Sequence, residues 1–566
     1  MTKQLIGYDI EVFSHDALVV FKDLNKRLVK AYHNDFTGIL NFIRDKTLVG
    51  YNNYYYDDKI LTAMINGWSV HQIKQLNDKL IRGEKWDAVH HEIDSLDCFQ
   101  QIDVSMPGLK KIEGNMGKMI LESSVSFDID RPLTAQEFNE VLQYCSYDVD
   151  TTIDIYKIRE HSYFESKSRL LQMLGNDRAK RWNTTTIAAN LLLDKPLQKW
   201  SGLRVPEWMM ELVPPDVKEM WLQVNGIGPI KKKSITVTEF DNDIQFAFGG
   251  LHGAHKRIKR AENVKLLDVA SMYPSIVVAL EALGPATKMY QDMKETRVKI
   301  KHQDKQLSDA LKLILNSTYG LLNNQYSILY NPKAASTVCV YGQIALYELC
   351  KRLSTVVTII NINTDGVAFV TESDSYKQIA KEWEMEFNLA LEEDQYDLFI
   401  QKDVNNYIAT RNGQVVKVKG GDVNRYLWDN YFTNNNTRIV DIAIVEHLIN
   451  GKDVLDVIYS NLDKPYLFQY VLQAGPTYVG TYDEDGKKYN KINRVFASKH
   501  GELLLQKKRV DGGLVRFADA PDQMFLWNDD CGQIEGFEKK LDINHYYKLI
   551  KRKLERWSEG GQQMCM

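Results

Sequence analysis

Two short apolar runs near the middle of the chain each lead to an aspartate and then to a tight turn. Residues 266–275 read LLDVASMYPS and carry Asp268, while VVTIININTDG leads to Asp365. A short apolar run predicts a buried strand, and two carboxylates on neighbouring strand ends can share divalent metal ions. Between them, KLILNSTYG (312–320) predicts a helix whose lysine can bind a polyphosphate. Together, the three segments predict a centre for nucleotidyl transfer.

The chain is too long for one hydrophobic core, and its 566 residues predict two or more domains. Its 44% hydrophobic and 26% charged residues are typical of a globular protein. The net charge of −4 does not by itself favour a nucleic-acid binder, although basic residues cluster at Lys231–Lys233, His255–Arg260, Lys507–Arg509 and Lys548–Lys553. Such clusters can line a groove for a phosphate backbone or form solvated surfaces, and composition leaves both open.

Membrane and metal-cluster classes are disfavoured. No apolar stretch is long enough to span a bilayer, and the first residues lack signal-peptide architecture. The six cysteines contain no C-x-x-C pair, which argues against a zinc or iron–sulfur site. We therefore expect a cytoplasmic protein that does not contact a membrane.

The alternation of short apolar runs with helical periodicity predicts a multidomain α/β and α+β protein. LIGYDIEVF predicts a first strand, TLVGYN near residue 50 a second, and AQEFNEVLQYCSYDVDTTIDIYKI a helix. Residues 160–240, including AANLLLDKPLQKW, are expected to be largely helical. Helices are then expected up to 323 and around 336–354, a β-rich section up to about 430, and a hairpin at the DEDG turn, 483–486.

Acidic residues near the start of the chain predict a second metal site. Asp9 and Glu11 are two positions apart on the first predicted strand, so both side chains point to one face. Asp57 follows an aromatic cluster in GYNNYYYDD, and Tyr144 and Asp148 are one helical turn apart. Four carboxylates from three segments can hold two divalent cations, and a tyrosine can orient an attacking water.

In this order, the acidic segments resemble the DEDD-type 3′–5′ proofreading exonucleases whose third motif carries a tyrosine. The resemblance covers about residues 5–155. It implies an RNase H-like domain in which Asp9, Glu11, Asp57 and Asp148 bind metal and Tyr144 assists catalysis.

The three central segments resemble motifs of family B DNA polymerases, especially small phage-type enzymes. DVASMYPS resembles the first palm motif, KLILNSTYG the fingers motif and INTDG a variant of the second palm motif. The resemblance implies that Asp268, Asp365 and the backbone carbonyl of Val269 hold two Mg²⁺ ions. Tyr273 is expected beneath the incoming sugar, where its ring would exclude a 2′-hydroxyl.

Further nucleotide and DNA contacts follow from the same resemblance. On the fingers, the nucleotide-binding residues would be Arg297, Lys301, Lys312, Asn316 and Tyr319. An exposed helix is the alternative for Arg297 and Lys301. Tyr407, Lys417 and Lys419 would contact the primer strand, although Asn405 stands where the family carries a lysine, and Phe248, Gly249 and Gly250 would contact the template.

Two departures from the family pattern affect these expectations. The first acid of the second palm motif is replaced by Asn363, which could alter the metal preference while Asp365 suffices as ligand. Lys312 follows Asp268 by only 44 positions, which leaves room for one fingers hairpin but not for the insertions of protein-primed relatives. We therefore expect priming from a nucleic-acid 3′ end.

The resemblance implies an RNase H-like exonuclease followed by a right-hand polymerase. The expected domains are an exonuclease (1–160), a helical connector (161–240), two palm parts (241–283 and 335–430), fingers (284–334), and a thumb with the C-terminal region (431–566).

The expected cofactors are two Mg²⁺ ions at each site, with Mn²⁺ as a substitute. The expected partners of a monomeric enzyme are primed DNA template, dNTPs and phage replication proteins, in the host cytoplasm. Two alternatives are a 3′–5′ exonuclease with a decayed polymerase site, and a non-catalytic DNA-binding replication factor.

Overall fold

A computed structural model describes residues 3–85, 93–223, 234–501, 503–558 and 562–564. The basic cluster Lys231–Lys233 lies outside the described residues. The chain divides into two compact units. The first unit comprises Met1–Glu165, Asp429–Ile439 and Ile458–Tyr546, and the second comprises Ser166–Trp428, Val440–Val457 and Tyr547–Met566. Each unit contains sheets and helices, so the predicted mixed α/β, multidomain class is confirmed.

The first unit begins with a mixed sheet in the strand order β3-β2-β1-β4-β5. The strands are β1 (Gln4–Val12), β2 (Ala17–Asp23), β3 (Leu28–His33), β4 (Lys46–Gly50) and β5 (Ser95–Asp97). Strand β1 pairs antiparallel with β2 and parallel with β4. TLVGYN, predicted as the second strand, therefore forms β4, because β2 and β3 intervene as an antiparallel hairpin.

Helix α5 covers this sheet and confirms the predicted long helix. The helices of this part are α1 (Ile39–Ile43), α2 (Asp57–Ile65), α3 (Val70–Ile81), α4 (Leu109–Asn115) and α5 (Ala135–Arg159), with a π-helical segment at Glu160–Glu165. Thr134 and Glu137 form a capping box that satisfies backbone N–H groups at the start of α5. A Cβ on Gly7 of β1 would lie 2.8 Å from Ile153, so glycine allows α5 to approach the strand closely.

The second unit is built on one large sheet whose strands pair antiparallel in the order β14-β13-β12-β9-β11-β10-β8-β7-β6. Its strands are β6 (Ser234–Glu239), β7 (Asn242–Ala247), β8 (Gly250–His255), β9 (Ile258–Val269), β10 (Thr358–Asn363), β11 (Gly366–Val370), β12 (Leu391–Asp403), β13 (Asn406–Arg411) and β14 (Gln414–Lys419). The long β9 pairs with β11 on one side and β12 on the other.

Helices of the second unit cover this sheet. They are α6 (Ser166–Leu174), α7 (Thr184–Leu192), α8 (Glu207–Met210), α9 (Pro215–Gln223), α10 (Met272–Ala279), α11 (Thr287–Ile300), α12 (Lys305–Asn323), α13 (Pro332–Leu353) and α14 (Tyr376–Phe387). Helix α13 is buried along almost its whole length and packs against α10, α12 and α14. The helical prediction for AANLLLDKPLQKW was correct only in part, because α7 ends at Leu192, shortly before Pro196.

All but the last of the remaining strands form two small sheets, β15-β18-β21 and β17-β16-β19-β20. The elements are β15 (Tyr470–Gln473), β16 (Tyr478–Tyr482), β17 (Lys488–Tyr489), β18 (Ile492–Ala497), β19 (Gln506–Arg509), β20 (Leu514–Arg516), β21 (Met524–Leu526), β22 (Gln562–Met564), α15 (Arg438–Asn450), α16 (Val454–Tyr459), α17 (Phe537–Lys540) and α18 (Ile543–Ser558). Strands β16 and β17 confirm the hairpin at the DEDG turn. Strand β22 pairs in parallel with β9.

Short 3₁₀ helices occur at Asp177–Arg181, Gly284–Ala286, Pro465–Leu467 and Cys531–Gln533. Within the described ranges, every helix is too short or too polar to cross a lipid bilayer.

Candidate active sites

The two aspartates of the second unit lie at the same end of adjacent strands. Asp268 is the penultimate residue of β9, and Asp365 lies in the turn between β10 and β11. Asp268 is paired in register with Gly366, and the backbone N–H of Val269 donates to the carbonyl of Asp365 (2.7 Å). The antiparallel ladder therefore brings the two predicted acids together.

The turn that carries Asp365 has an unusual backbone. Thr364 has φ 60°, in the left-handed region where a β-branched residue is rare. The N–H of Asp365 donates to the carbonyl of Asn363 (2.7 Å), which closes a tight three-residue turn. The N–H of Thr364 donates to the carbonyl of Leu251 (2.8 Å) in β8, and its hydroxyl lies 3.2 Å from Nε2 of His252. These contacts with β8 hold the strained turn in place.

Two glycines make this close packing possible. A Cβ on Gly366 would lie 1.9 Å from Oδ1 of Asp268. Gly250 has φ 141°, and a Cβ there would lie 3.0 Å from the hydroxyl oxygen of Thr364. Of the predicted template-binding residues, Gly250 therefore packs against the turn of the second acid, while Phe248 and Gly249 lie in the turn between β7 and β8.

Both acids line one cavity of about 350 Å³. The other polar residues that line it are Asn361, Asn363, Tyr396, Tyr407, Lys417 and Lys419. Burial raises the pKa of Asp268, Lys417 opposes this shift, and the charge of Asp365 adds to it. Burial also raises the pKa of Asp365. The structure thus brings three of the predicted primer-binding residues beside the two predicted metal ligands.

The lysines come from β14, where alternate residues share a face. Tyr407 of β13 pairs in register with Lys419, and Nζ of Lys417 lies 5.9 Å from the centre of the Tyr407 ring. Lys419 donates to Oδ1 of Asn363 (3.1 Å), whose Nδ2 donates to the carbonyl of Val404 (2.9 Å).

The aromatic residues predicted to contact the nucleotide stack on each other. Tyr273 of α10 and Tyr319 of α12 have ring centroids 4.6 Å apart at 26°. Burial raises the pKa of Tyr273, and the nearby charge of Asp365 adds to that shift. This stacked pair therefore lies near the second acid.

The other predicted nucleotide-binding residues lie on α11 and α12, which pack together as a hairpin. Lys301, Lys312 and Asn316 are exposed, and Arg297 is half-buried. These four residues are not among those that line the 350 Å³ cavity in the described part of the chain.

A buried amide network lies beside the cavity and was not predicted from the sequence. Asn361 donates to Oε1 of Gln401 (2.9 Å), and Gln401 donates to the carbonyls of Ile258 and Ile360 (both 3.0 Å). This network links β9, β10 and β12 across the sheet. The signal for it was the presence of amide residues inside apolar strand sequences, IININ and LFIQKD.

In the first unit, Asp9 and Glu11 converge on one face of β1, as the spacing predicts. Their carboxylates and the thiol of Cys145 on α5 lie within 4.8 Å of one another. Burial raises the pKa of Asp9 to about 7, and the charge of Asp148 adds to the shift. Burial and the charge of Asp9 also hold the pKa of Glu11 well above its usual range.

Asp57 and Asp148 join this site through electrostatic interaction. Asp57 begins α2, and burial and the charge of Asp9 raise its pKa. Asp148 lies on α5 and forms an ion pair with Lys110 of α4. Nζ of Lys110 also lies 4.4 Å from the ring centre of Tyr144, one turn before Asp148. The sequence reasoning did not identify Lys110, because nothing local in LKKIEGN distinguishes it from a surface lysine.

The donor sets at both sites fit a hard divalent cation. Carboxylate oxygens are the ligands that Mg²⁺ and Mn²⁺ prefer. The acids of the first site raise one another's pKa, as is expected of a cluster that requires a cation to balance it. Cys145 is a poor ligand, because its thiol donates to the carbonyl of Asp9 (3.5 Å) and burial raises its pKa.

Comparison with protein-family models finds no match, and no curated protein matches the chain. Among solved structures, the chain is similar to the family B DNA polymerase from the hyperthermophilic archaeon Pyrobaculum calidifontis. The match has 13% sequence identity and a TM-score of 0.46, and covers 98% of this chain and 78% of that chain. We therefore argue function from the residues of the two sites.

Proposed function

We propose that this protein is a family B DNA polymerase that extends a primer 3′ end with dNTPs and removes mispaired ends with a 3′–5′ exonuclease. The single observation that carries the proposal is the cavity shared by Asp268 and Asp365 with Lys417, Lys419 and Tyr407. Two carboxylates beside two lysines suit a reaction in which metal ions, triphosphate and a DNA strand meet.

The proposed architecture assigns an RNase H-like exonuclease to 1–160 and a helical connector to 161–240. The palm would comprise 241–283 and 335–430, the fingers 284–334, and the thumb with the C-terminal region 431–566. In this assignment, β9, β10 and β11 form the catalytic floor of the palm, and the hairpin of α11 and α12 forms the fingers.

At the polymerase site, Asp268, Asp365 and the backbone carbonyl of Val269 would hold two Mg²⁺ ions. Bound ions would lower the pKa of the primer 3′-hydroxyl and stabilise the charge of the triphosphate. Lys417 and Lys419 would bind phosphates of the primer strand, and Tyr407 would pack against its sugar. Alignment of the 3′-hydroxyl with the α-phosphate would follow from these contacts.

The stacked pair Tyr273 and Tyr319 would form the wall on which the incoming nucleotide rests. A ring beneath the sugar leaves no room for a 2′-hydroxyl, so the site would select deoxyribonucleotides. Arg297, Lys301, Lys312 and Asn316 would bind the triphosphate when the fingers approach it. Phe248, Gly249 and Gly250 would contact the template strand, where glycine permits close approach of a phosphate.

At the exonuclease site, Asp9, Glu11, Asp57 and Asp148 would hold two Mg²⁺ ions, and Tyr144 would orient the attacking water. Lys110 balances Asp148 and lies against Tyr144, so it would keep both groups in position. Mn²⁺ has the same ligand preference and would replace Mg²⁺ at both sites.

The expected partners are primed DNA, dNTPs and phage replication proteins, with the monomeric enzyme acting in the host cytoplasm.

The proposal is tested by primer extension with an Asp365→Ala variant. Loss of one of two metal-binding carboxylates should lower incorporation of dNTPs at least about 1,000-fold, while degradation of the primer from its 3′ end continues. Asp374→Ala, which changes an exposed acid of the same unit, serves as the control. Normal incorporation by Asp365→Ala would refute the assigned active site.

A primed template with one 3′ mismatch separates the alternatives. Equal degradation by the wild-type protein with and without dNTPs would indicate an exonuclease with a decayed polymerase site. Retained DNA binding without metal-dependent chemistry would indicate a non-catalytic replication factor.

A further inference from the structure

Asn363 occupies the position at which the second palm motif usually carries an acid, and both ends of its amide are bonded. Its Nδ2 donates to the backbone carbonyl of Val404 (2.9 Å), and its Oδ1 accepts from Nζ of Lys419 (3.1 Å). A carbonyl can only accept and a lysine ammonium can only donate, so a residue between them needs one donor and one acceptor. An amide meets this need and a carboxylate does not.

The partner of Asn363 is a lysine whose ammonium forms no salt bridge among the described side chains. Among the described side chains, no carboxylate lies within ion-pair distance of Lys419, whereas Lys26, Lys265 and Lys402 each form an ion pair with an acid. Burial and the neighbouring charge of Lys417 lower the pKa of Lys419, and the charge of Asp365 opposes this shift without forming a salt bridge. The ammonium of Lys419 is half-buried and held by the neutral amide of Asn363 at the wall of the cavity. It is therefore available for an anionic ligand.

We propose that Asn363 is a positioning residue that holds Lys419 toward the cavity as an unpaired cation for a backbone phosphate of the primer strand. Asn363 is thus not a lost metal ligand. An aspartate at 363 would pair with Lys419 and neutralise it, and would also face the carbonyl of Val404 without a proton to donate. The inference rests on the proposed polymerase function.

The test measures equilibrium binding of a primed DNA duplex at several KCl concentrations in EDTA, so that metal binding does not contribute. Lys419→Met should weaken binding about three- to tenfold and reduce the slope of log K against log salt by about 1, as expected for one lost phosphate contact. Lys377→Met removes an exposed lysine of the same unit and should leave the slope unchanged. If Lys419→Met has no effect on binding or slope, the proposal is wrong.

A double-mutant cycle tests whether Asn363 acts through Lys419. Asn363→Leu removes both hydrogen bonds without adding charge, and should weaken DNA binding in the wild type but have no further effect in Lys419→Met. Equal effects in both backgrounds would show that Asn363 acts independently of Lys419.

Primer extension by Asn363→Asp with Mg²⁺ distinguishes a positioning role of residue 363 from a metal-binding role. A positioning amide predicts reduced incorporation, whereas increased incorporation would show that position 363 is a metal ligand and would overturn the inference. If the cycle behaves as expected but the wild type incorporates no dNTP, the polymerase proposal fails and the coupling of Asn363 to Lys419 stands. If the wild type incorporates dNTPs but the two substitutions act independently, the polymerase proposal stands and the coupling of Asn363 to Lys419 is refuted.

Discussion

At the scale of single residues, both sites place buried acids beside lysines. In the first unit, Asp9 has a pKa of about 7, and the positive charge of Lys110 limits that rise. In the second unit, Lys417 has the same effect on Asp268. In both sites the lysine opposes the effect of burial on the carboxyl pKa, because an opposite charge favours the ionised form. Lys110 and Lys417 thus have comparable electrostatic positions in two unrelated sites.

Asp97 carries a buried charge that organises the loop before Asp57. Its Oδ1 accepts from the N–H groups of Asn52 and Phe99 (both 2.8 Å), and burial raises its pKa to about 6. A carboxyl whose pKa is higher in the folded state binds protons more tightly there, so stability falls as the pH rises from about 4 to 6. The loss is at most about 3 kcal/mol for a shift of this size.

Asp97→Asn should remove this pH dependence, because the amide oxygen can still accept both N–H groups and carries no charge. Thermal and urea unfolding should show that the variant gains stability relative to the wild type between pH 4 and 7, by about 1–3 kcal/mol. Asp128→Asn, at an exposed acid of the same unit, should show no such gain. A constant difference across this pH range would contradict the assigned charge state of Asp97.

At the scale of elements, the β10–β11 turn decides where the second acid lies. Its backbone strain at Thr364 is balanced by the hydrogen bond to Leu251 and by contact with His252, both on β8. Strain of about 1–3 kcal/mol persists only where the surrounding structure holds it, and such positions are common at functional sites. Gly250, at the start of β8, thus has a structural role in placing Asp365, which does not depend on any contact with DNA.

Gly366→Ala should displace the carboxylate of Asp268, because its Cβ would lie 1.9 Å from Oδ1. We expect primer extension to fall about 100-fold or more, as a misplacement of about 1 Å is sufficient for such a loss, while exonuclease activity is retained. Gly421→Ala is the matched control, since no atom lies within 4 Å of its Cβ position. Primer extension by Gly366→Ala at the control rate would contradict this account of the site.

At the scale of the whole molecule, the first unit joins segments that are far apart in the sequence. Arg494 of β18 is completely buried and donates to Oε1 of Gln469 (2.8 Å) and to the carbonyls of Asp529 (2.7 Å), Gly114 (3.1 Å) and Lys118. Gly114 belongs to α4, the helix that carries Lys110 to the acid cluster of the first unit. Arg494 therefore ties α4 to segments from the C-terminal third of the chain.

Arg494→Met should destabilise the first unit by about 3 kcal/mol or more, because it leaves several buried acceptors without donors. Exonuclease activity should then be lost at a temperature at which primer extension continues, and proteolysis should cleave the first unit first. Arg516→Met, at an exposed arginine of the same unit, should leave both activities unchanged. Simultaneous loss of both activities would indicate that the two units unfold together.

Much of the secondary structure and many candidate ligands could be predicted from the sequence because their signals are local. The alternating pattern of LIGYDIEVF predicts β1 and the common face of Asp9 and Glu11, and helical periodicity predicts α5 with Tyr144 and Asp148. The order of the strands could not be predicted, since β2 and β3 carry no motif and β4 reaches β1 only through the parallel pairing of the sheet.

The sequence by itself determined which residue types could hold metal and phosphate, and on which strands and helices they stand. Only the tertiary structure decided which of them meet. It brought Asp268 beside Asp365, Lys110 beside Asp148, and Lys419 beside Asn363. The physical reason is that backbone periodicity acts over a few residues, whereas burial, pKa and ion pairing depend on side chains brought together from distant segments by sheet register and helix packing.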